Sequence, residues 1–390
     1  MKSWLTKIKE TLIQESKRTN KPRKKNRPLM GATPGIPVGT PRSYHHLVKE
    51  GYNQNIIVYR SVTLVARNLA SVPWVLHKAN QPLDHHPLLD LIRTPNPGQT
   101  GVSFLEALTS HLMLSGNAYV ELVATEKKQR ECYLLRPDRV QVVPDAPEPY
   151  YLYTVGDRSR VIQRSPKASV SPLLHIKTFH PLNDWYGMSA VEAAAASIDQ
   201  HNEVGHHNLA LMKNGGRPSG ALIFNQLNQK YMSEEEFQTF RDDLKEAFQG
   251  SDNAGRVVLL EGDIKWQEMG VKPKDLDYVS GKYLSAREIA QAFGVPAMLV
   301  GVPGDATFAN YREARFHLWE DTILPLLDKI MSEMNRWLCS LYGEAFQFTY
   351  DIENIPALVL RRESLWSRLE QCSFLTDNEK REALGYGPRG

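Results

Sequence analysis

Three stretches of this 390-residue chain carry residue types whose spacing suggests chemistry. Gly250-Ser251-Asp252-Asn253-Ala254-Gly255-Arg256-Val257 has the glycine spacing of a loop that cradles phosphates. Such a loop needs a following Lys for the phosphates and a Ser or Thr for magnesium, and it leads from a strand into a helix. Here Arg256-Val257 stands in that place, and the stretch joins an expected helix to an expected strand, so it reads as a tight turn. Gly187-Met188-Ser189-Ala190-Val191 falls one glycine short of a nucleophile elbow. Ser189, with Glu192 three residues on, fits a helix cap better. His201, His206 and His207 share one expected helix, but not at His-Glu-x-x-His spacing, and Glu203 stands in the wrong place for a zinc site. They read as solvated helical histidines. The neighbours His45-His46 and His85-His86 point in different directions on either helix or strand.

Cys132, Cys339 and Cys372 are far apart and odd in number, which suggests a reducing compartment and no disulfide frame. Acidic residues are scattered, and no acid/base pair stands out. The sequence therefore nominates no catalytic residue, no metal ligand and no cofactor. That is weak evidence against an enzyme, because catalytic groups are often distant in sequence.

The elements that would position any site have ordinary composition. Hydrophobic residues make up 42% and charged residues 23%, enough for a packed core in two or three domains. No run approaches the ~20 apolar residues of a membrane span, and Met1 to Asn20 lacks the apolar centre of a secretory signal. The net charge of +3 is unevenly spread. Residues 1–28 hold ten Lys/Arg and two Asp/Glu, whereas the rest hold 37 basic and 42 acidic side chains. Arg23, Lys24, Lys25 and Arg27 are candidates for contact with DNA phosphates or an acidic partner, set against the plainer reading of a solvated, disordered tail. Trp4, Leu5, Ile8 and Leu12 fall near one helical face, which leaves a docking or membrane-surface helix as a lesser reading.

Residues 29–43, rich in Gly and Pro, read as a linker. Periodicity predicts a helix over 56–70, a strand at 74–77, a short helix at 88–92 and a helix from Gly101 to Leu114. Strands follow at 118–123, 132–135, 140–143 and 150–153. One helix is expected from Ser189 to Lys213, then strands at 221–224, 257–260 and 264–266 around a helix capped by Ser233. Pro273 opens a helix to Phe293, stopped at Gly294-Val295-Pro296. After a Gly/Pro loop, a long helix begins at Asn310, with Glu313 three residues on. Trp319, Ile323, Leu326, Ile330, Met334, Trp337 and Leu341 form its apolar stripe, and Pro325 inside it predicts a kink. A strand at 346–350 and helices at 358–372 and 376–384 close the chain.

Taken in order, several stretches resemble the portal proteins of tailed phages, in the short type that accompanies Hong Kong-type capsids and also occurs in gene transfer agents. They are Val72-Pro73-Trp74, His86-Pro87-Leu88-Leu89, Pro95-Asn96-Pro97, Leu114-Ser115-Gly116-Asn117-Ala118-Tyr119 and Leu135-Arg136-Pro137-Asp138-Arg139-Val140. Tyr186-Gly187-Met188-Ser189, Asn214-Gly215-Gly216-Arg217-Pro218-Ser219-Gly220, Asn253-Ala254-Gly255-Arg256 and Ile289-Ala290-Gln291-Ala292-Phe293-Gly294-Val295-Pro296 continue the series. Leu324-Pro325 and Leu375-Thr376-Asp377-Asn378-Glu379-Lys380-Arg381 complete it. The resemblance covers about residues 55 to 390. Lys380 stands where an apolar residue is more usual, and the basic head is not part of the pattern.

The resemblance implies an α+β portal fold: an α/β wing, a two-helix stem, a small α/β clip, a long kinked helix and a short helical C-terminal crown. It assigns 44–187 and 310–356 to the wing, 188–216 and 272–299 to the stem, 217–271 to the clip and 357–390 to the crown. The basic arm, 1–43, precedes them. Segment 300–309 would be a tunnel loop, with Val302, Pro303, Gly304, Asp305, Ala306, Thr307 and Phe308 at the channel and Pro325 at the helix kink. The implied partners are further copies in a ring, usually of twelve, double-stranded DNA without sequence preference, the terminase large subunit, the major capsid protein and a head-tail adaptor. The residues alone leave two other classes open, a hydrolase with an unrecognised site and a basic-tailed nucleic-acid or membrane adaptor. Oligomeric state separates them, since a ring with a wide hole is expected only of a conduit.

Overall fold

The computed structural model describes residues 44–79, 81–124, 130–145, 148–165, 168–213, 220–224, 235, 238–239, 264–268, 278–304, 307–342, 346–352 and 355–383. The expected basic arm, the strand at 257–260, the start of the helix at Pro273 and all of the helix expected after Ser233 except Glu235, Gln238 and Thr239, which are helical, lie outside these residues.

A helical turn, Tyr44–His46, continues as a π-helical turn, Leu47–Asn53. Asn55 then caps α1 (Ile56–Ala70), accepting the N–H groups of Ile57 at 3.0 Å and Val58 at 3.2 Å. Satisfying those orphan donors fixes where the helix starts. Val58, Val62, Val65 and Leu69 form its fully buried stripe. After β1 (Trp74–Lys78) and β2 (Gln81–Leu83) comes α2 (Pro87–Arg93), with proline in its first turn. Then α3 (Gly101–Ser115) begins at the cap Thr100 and ends at Gly116.

The strands β3 (Asn117–Ala124), β4 (Arg130–Leu135), β5 (Val140–Val143), β6 (Tyr150–Val155), β7 (Arg158–Ile162) and β8 (Leu173–Lys177) follow. Next are α4 (Ala190–Ala193), α5 (Ala195–Lys213), β9 (Gly220–Phe224), β10 (Ile264–Glu268) and α6 (Tyr278–Ala292). A 3-10 turn, Ala297–Val300, precedes α7 (Phe308–His317). A π-helical turn, Leu318–Ile323, joins α7 to α8 (Leu324–Leu338). Finally come β11 (Phe346–Tyr350), α9 (Pro356–Gln371) and α10 (Asp377–Ala383).

Among the described residues all strand pairs are antiparallel, in sheets ordered β11-β1-β2, β4-β3-β8, β5-β6-β7 and β10-β9. The main core gathers α1, α3, α6 and α8 around Leu69, Leu108, Ile289, Ile330 and Met334. A smaller cluster of Tyr119, Leu135, Val140, Ile162 and Leu173 joins the β3 sheet to the β6 sheet. Truncating one such side chain to Ala costs about 2–5 kcal/mol.

The α+β class holds, with three corrections and one further detail, at Pro325. Strands β2, β7 and β8 were not expected: β7 reads Arg-Ser-Arg-Val-Ile with four exposed positions, and β8 has no polar alternation. The helix expected over 189–213 is divided at Ala194, although Ala194 N–H still reaches the Ala190 carbonyl at 3.0 Å. The helix expected from Asn310 begins at Phe308, because Thr307 is the residue that caps it. At Pro325 the helix widens into a π turn, with Leu324 N–H bonded five residues back to the Trp319 carbonyl. Proline offers no N–H, and the wider turn takes up the mismatch.

Candidate functional site

The loop between α6 and α7 is pinned at both ends. Gly294 N–H bonds the Gln291 carbonyl and Val295 N–H the Ala290 carbonyl, both at 2.9 Å, the paired bonds of a Schellman stop. Gly294 has φ 66, a left-handed conformation suited to glycine. Beyond the 3-10 turn, Val302 N–H bonds the Ala297 carbonyl at 3.2 Å and its side chain is buried. Arg287 of α6 donates from Nη2 to the Pro303 carbonyl at 2.6 Å. On the far side, Thr307 Oγ1 accepts Asn310 N–H at 3.2 Å.

The exposed stretch is thus narrower than the expected 300–309. Val302, expected at the channel, has its side chain buried in the core of the single copy. Phe308, expected in the loop, is the first residue of α7, because the Thr307 cap starts the helix there. Pro303, Gly304 and Thr307 are exposed; Asp305 and Ala306 lie outside the described residues. Pro325 is exposed just past the π turn. Arg23, Lys24, Lys25, Arg27 and the glycine turn at 250–257 also lie outside the described residues.

Helices α5 and α6 run antiparallel. Ser197 Oγ donates to Glu288 Oε2 at 2.7 Å, while Gln200, further along α5, faces Gly281, further back on α6. Asn55 ties this pair to α1: its Nδ2 lies 2.9 Å from Asn202 Oδ1 and 3.2 Å from His201 Nδ1. Asn202 Nδ2 in turn donates to the Glu50 carbonyl at 2.9 Å. His201 is therefore a buried structural residue, and burial, then Lys282, holds its pKa below the usual imidazole value. That corrects its reading as a solvated histidine. His206 and His207 are exposed. At the end of the pair remote from Asn55, Leu209, Met212, Val279, Tyr283 and Leu284 leave apolar surface exposed.

The glycine motifs are joints. Gly116 has φ 71, and a side chain there would strike the Gly187 backbone. Asn117 Oδ1 accepts Gly187 N–H at 2.8 Å, and Thr178 N–H bonds the Gly116 carbonyl at 2.9 Å. Next to this crossing, the buried Tyr186 hydroxyl accepts Val142 N–H at 3.0 Å, and Ser189 caps α4 by accepting Glu192 N–H at 2.9 Å. Two motifs 70 residues apart thus form one packing contact.

No reactive centre assembles from these groups. Burial pushes the Cys132 thiol up to about 12, far from a thiolate nucleophile. Among the described residues no His, Cys, Asp or Glu group has metal-holding geometry. No described helix is long and apolar enough to cross a membrane.

Residues 56–385 match the family described as phage portal protein. An uncharacterized protein of Rickettsia bellii is 41% identical, covering 86% of this chain and 88% of its own length. Among solved structures, a chain in the neck of an empty gene transfer agent (GTA) particle, computed with C6 symmetry, matches with TM-score 0.74 and 40% identity. That alignment covers 92% of this chain and 98% of the other. A chain in the neck of a native GTA particle, computed with C12 symmetry, matches with TM-score 0.70 and 39% identity, covering 91% and 97%.

Proposed function

The chain belongs to the phage portal protein family, and we propose that twelve copies close into a ring at one capsid vertex, around a channel for double-stranded DNA. On this reading α5 and α6 form the stem, segment 217–271 the clip, 44–187 with 310–356 the wing, and 357–390 the crown. The clip meets the packaging motor and later the head-tail adaptor, while the wing meets the capsid shell. The particle is a virion or a gene transfer agent.

The observation that carries this reading is the loop between α6 and α7. Its ends are held by Val302 and Thr307; the residues 303–306, Pro-Gly-Asp-Ala in sequence, contribute no cation of their own, and the Arg287 guanidinium beside them is engaged by the Pro303 carbonyl. A conduit for any sequence must touch DNA without gripping it. Phosphate contacts give affinity regardless of sequence, and a ring of twelve cationic turns would hold DNA still. The acidic excess beyond residue 28 agrees with a low-friction wall. The exposed apolar residues of α5 and α6 supply surface that head-to-tail neighbours can bury. Nucleotide hydrolysis belongs to the separate motor.

Negative-stain images of the purified full-length protein test the proposal. Closed rings with a central hole, and no ATP hydrolysis, are expected. Monomers or compact dimers at micromolar concentration would overturn it.

A further inference from the structure

An open sheet edge is a row of unpaired N–H and C=O groups that templates another strand. The three three-stranded sheets have six edges; three are met by hydrogen bonds from other elements, and two more are short or packed against a helix. At β11, Asn335 serves both groups of Phe348: Oδ1 accepts its N–H at 2.6 Å and Nδ2 donates to its carbonyl at 3.0 Å. At β4, Cys132 N–H bonds the Pro95 carbonyl at 2.7 Å, and Asn96 Nδ2 donates to the Cys132 carbonyl at 2.9 Å. At β5, Val142 N–H is held by the Tyr186 hydroxyl. β2 is three residues long and contains Pro82. β8 is largely buried beside α8, whose Trp337 indole donates to Ser171, just ahead of the strand.

The sixth edge, β7, has no such cover among the described residues. Its hairpin turns on Gly156-Asp157, with Val155 opposite Arg158. In a two-residue hairpin that closing pair is hydrogen-bonded, and bonding alternates along the strands. Arg158, Arg160 and Ile162 therefore point their peptide groups at β6, while Ser159 and Val161 point theirs outward. The Val161 side chain is 57% exposed.

Charged side chains commonly defend edges against pairing. Here two of the three nearby arginines are already engaged. Arg160 pairs with Glu121 and lies over Tyr153, and Arg164 Nη1 donates to Glu148 at 2.8 Å. Arg158 is exposed and has no carboxylate partner among the described residues. An edge with one uncommitted guanidinium repels a basic strand and attracts an acidic one.

We propose that β7 is a strand-addition site for an extended segment of a different protein, in which carboxylates alternate with apolar side chains. The segment pairs with the outward peptide groups of Ser159 and Val161. One carboxylate meets Arg158 and an apolar side chain covers Val161. Backbone pairing supplies affinity, and the alternating side chains supply specificity. The basic residues 1–28 of a second copy have the wrong charge for this edge. The inference rests on the sheet alone and is independent of what passes through a channel.

The test uses the full chain and two blocked heptapeptides, Glu-Val-Glu-Val-Glu-Val-Glu and its Lys-for-Glu counterpart, with hydrogen exchange read at single amides. The acidic peptide should bind saturably, slow exchange at Ser159 and Val161, and weaken with added salt. Val161→Pro removes an outward N–H without touching the β6 pairing and should abolish binding at an unchanged melting temperature. Arg158→Glu should weaken binding about tenfold. Equal binding of the two peptides, or acidic-peptide binding that leaves those amides unprotected, would overturn the proposal. So would protection of both amides in the peptide-free ring, since a second copy would then be the occupant. Ring formation is measured separately, so loss of the portal reading and loss of this one are distinct results.

Discussion

Thr322 and Gly294 stand 28 residues apart and share a hydrogen bond, with Thr322 Oγ1 donating to the Gly294 carbonyl at 2.6 Å. The stop of α6 and the π turn before α8 are therefore one joint, and the loop toward α7 hangs from it. A Cβ on Gly294 would overlap the Thr322 side chain.

Gly294→Ala should therefore destabilise the protein by about 2 kcal/mol, from the left-handed backbone and the collision together. Adding Thr322→Ala should recover the collision but not the backbone strain. A coupling of about 1 kcal/mol in a double-mutant cycle, read by urea unfolding, is expected. Strict additivity of the two losses would show that the joint does not couple them.

Pro325→Ala tests whether the π turn depends on proline. A proline within a regular helix costs about 3 kcal/mol. Here the Leu324-to-Trp319 bond already accommodates it, so a stability gain of under about 1 kcal/mol is expected. A gain near the full helical cost would mean that the turn stores the strain. Particle assembly, assayed beside it, reports whether the widened turn places the loop.

Much of this architecture was legible because local rules are strong where residues have one good conformation. Gly294-Val295-Pro296 permits little except a stop, and Thr376 with Glu379 forms the reciprocal box at α10, with Glu379 Oε2 accepting Thr376 N–H at 2.7 Å. The start of α7 was misplaced because Thr307 and Asn310 are both good caps, and only geometry selects Thr307. β7 carries no signal because each face mixes polar and apolar side chains, Arg158 and Arg160 with Ile162 and Ser159 with Val161, so its pattern has no alternation. Arg287 to Pro303 and Asn55 to His201 are pairings across distance, for which one sequence carries no signal.

Two half-buried histidines give the fold a defined acid sensitivity. Burial, then Lys177, lowers His175 to about 3; burial, then Arg136, lowers His111 to about 4. His175 stacks on Tyr119 at 4.3 Å, with Nε2 3.0 Å from Asn117 Oδ1. The unfolded chain protonates both near pH 6.5, and the folded protein does so only near pH 3 and 4. Stability is thus fully present above pH 6.5 and falls as pH drops from 6.5 toward 4. Each histidine contributes a slope of up to about 1.4 kcal/mol per pH unit. His175→Gln should remove one proton from the slope between pH 6.5 and 4.5 in denaturant titrations. An unchanged slope would mean that His175 titrates normally in the folded protein.

Removing residues 1–28 should leave the fold and the ring intact, because the Gly/Pro-rich residues 29–43 separate them from the first core helix. What should change is a salt-sensitive contact with DNA or an acidic partner, through Arg23, Lys24, Lys25 and Arg27. Binding to a duplex of arbitrary sequence, measured against salt with and without the arm, gives the number of contacts from the slope. Failure of the shortened chain to fold would mean that Trp4, Leu5 and Ile8 dock into the core.

The loop itself can be shortened in two ways whose difference is informative. Removing Gly304 to Ala306 spares the Thr307 cap and the Val302 anchor, so the melting temperature of the ring should hold while DNA packaging or retention changes. Removing Gly304 to Thr307 also deletes the cap and should cost about a further 1 kcal/mol of stability. Arg287→Gln, which weakens the strap on the Pro303 carbonyl, should resemble the first deletion in packaging and leave melting unchanged. The measurements are packaging per intact ring and the melting curve of the free ring, taken on all three variants. If the three-residue deletion collapses the melting temperature while packaging per ring stays normal, the segment is a packing element. The channel would then have to be narrowed by some other part of the chain.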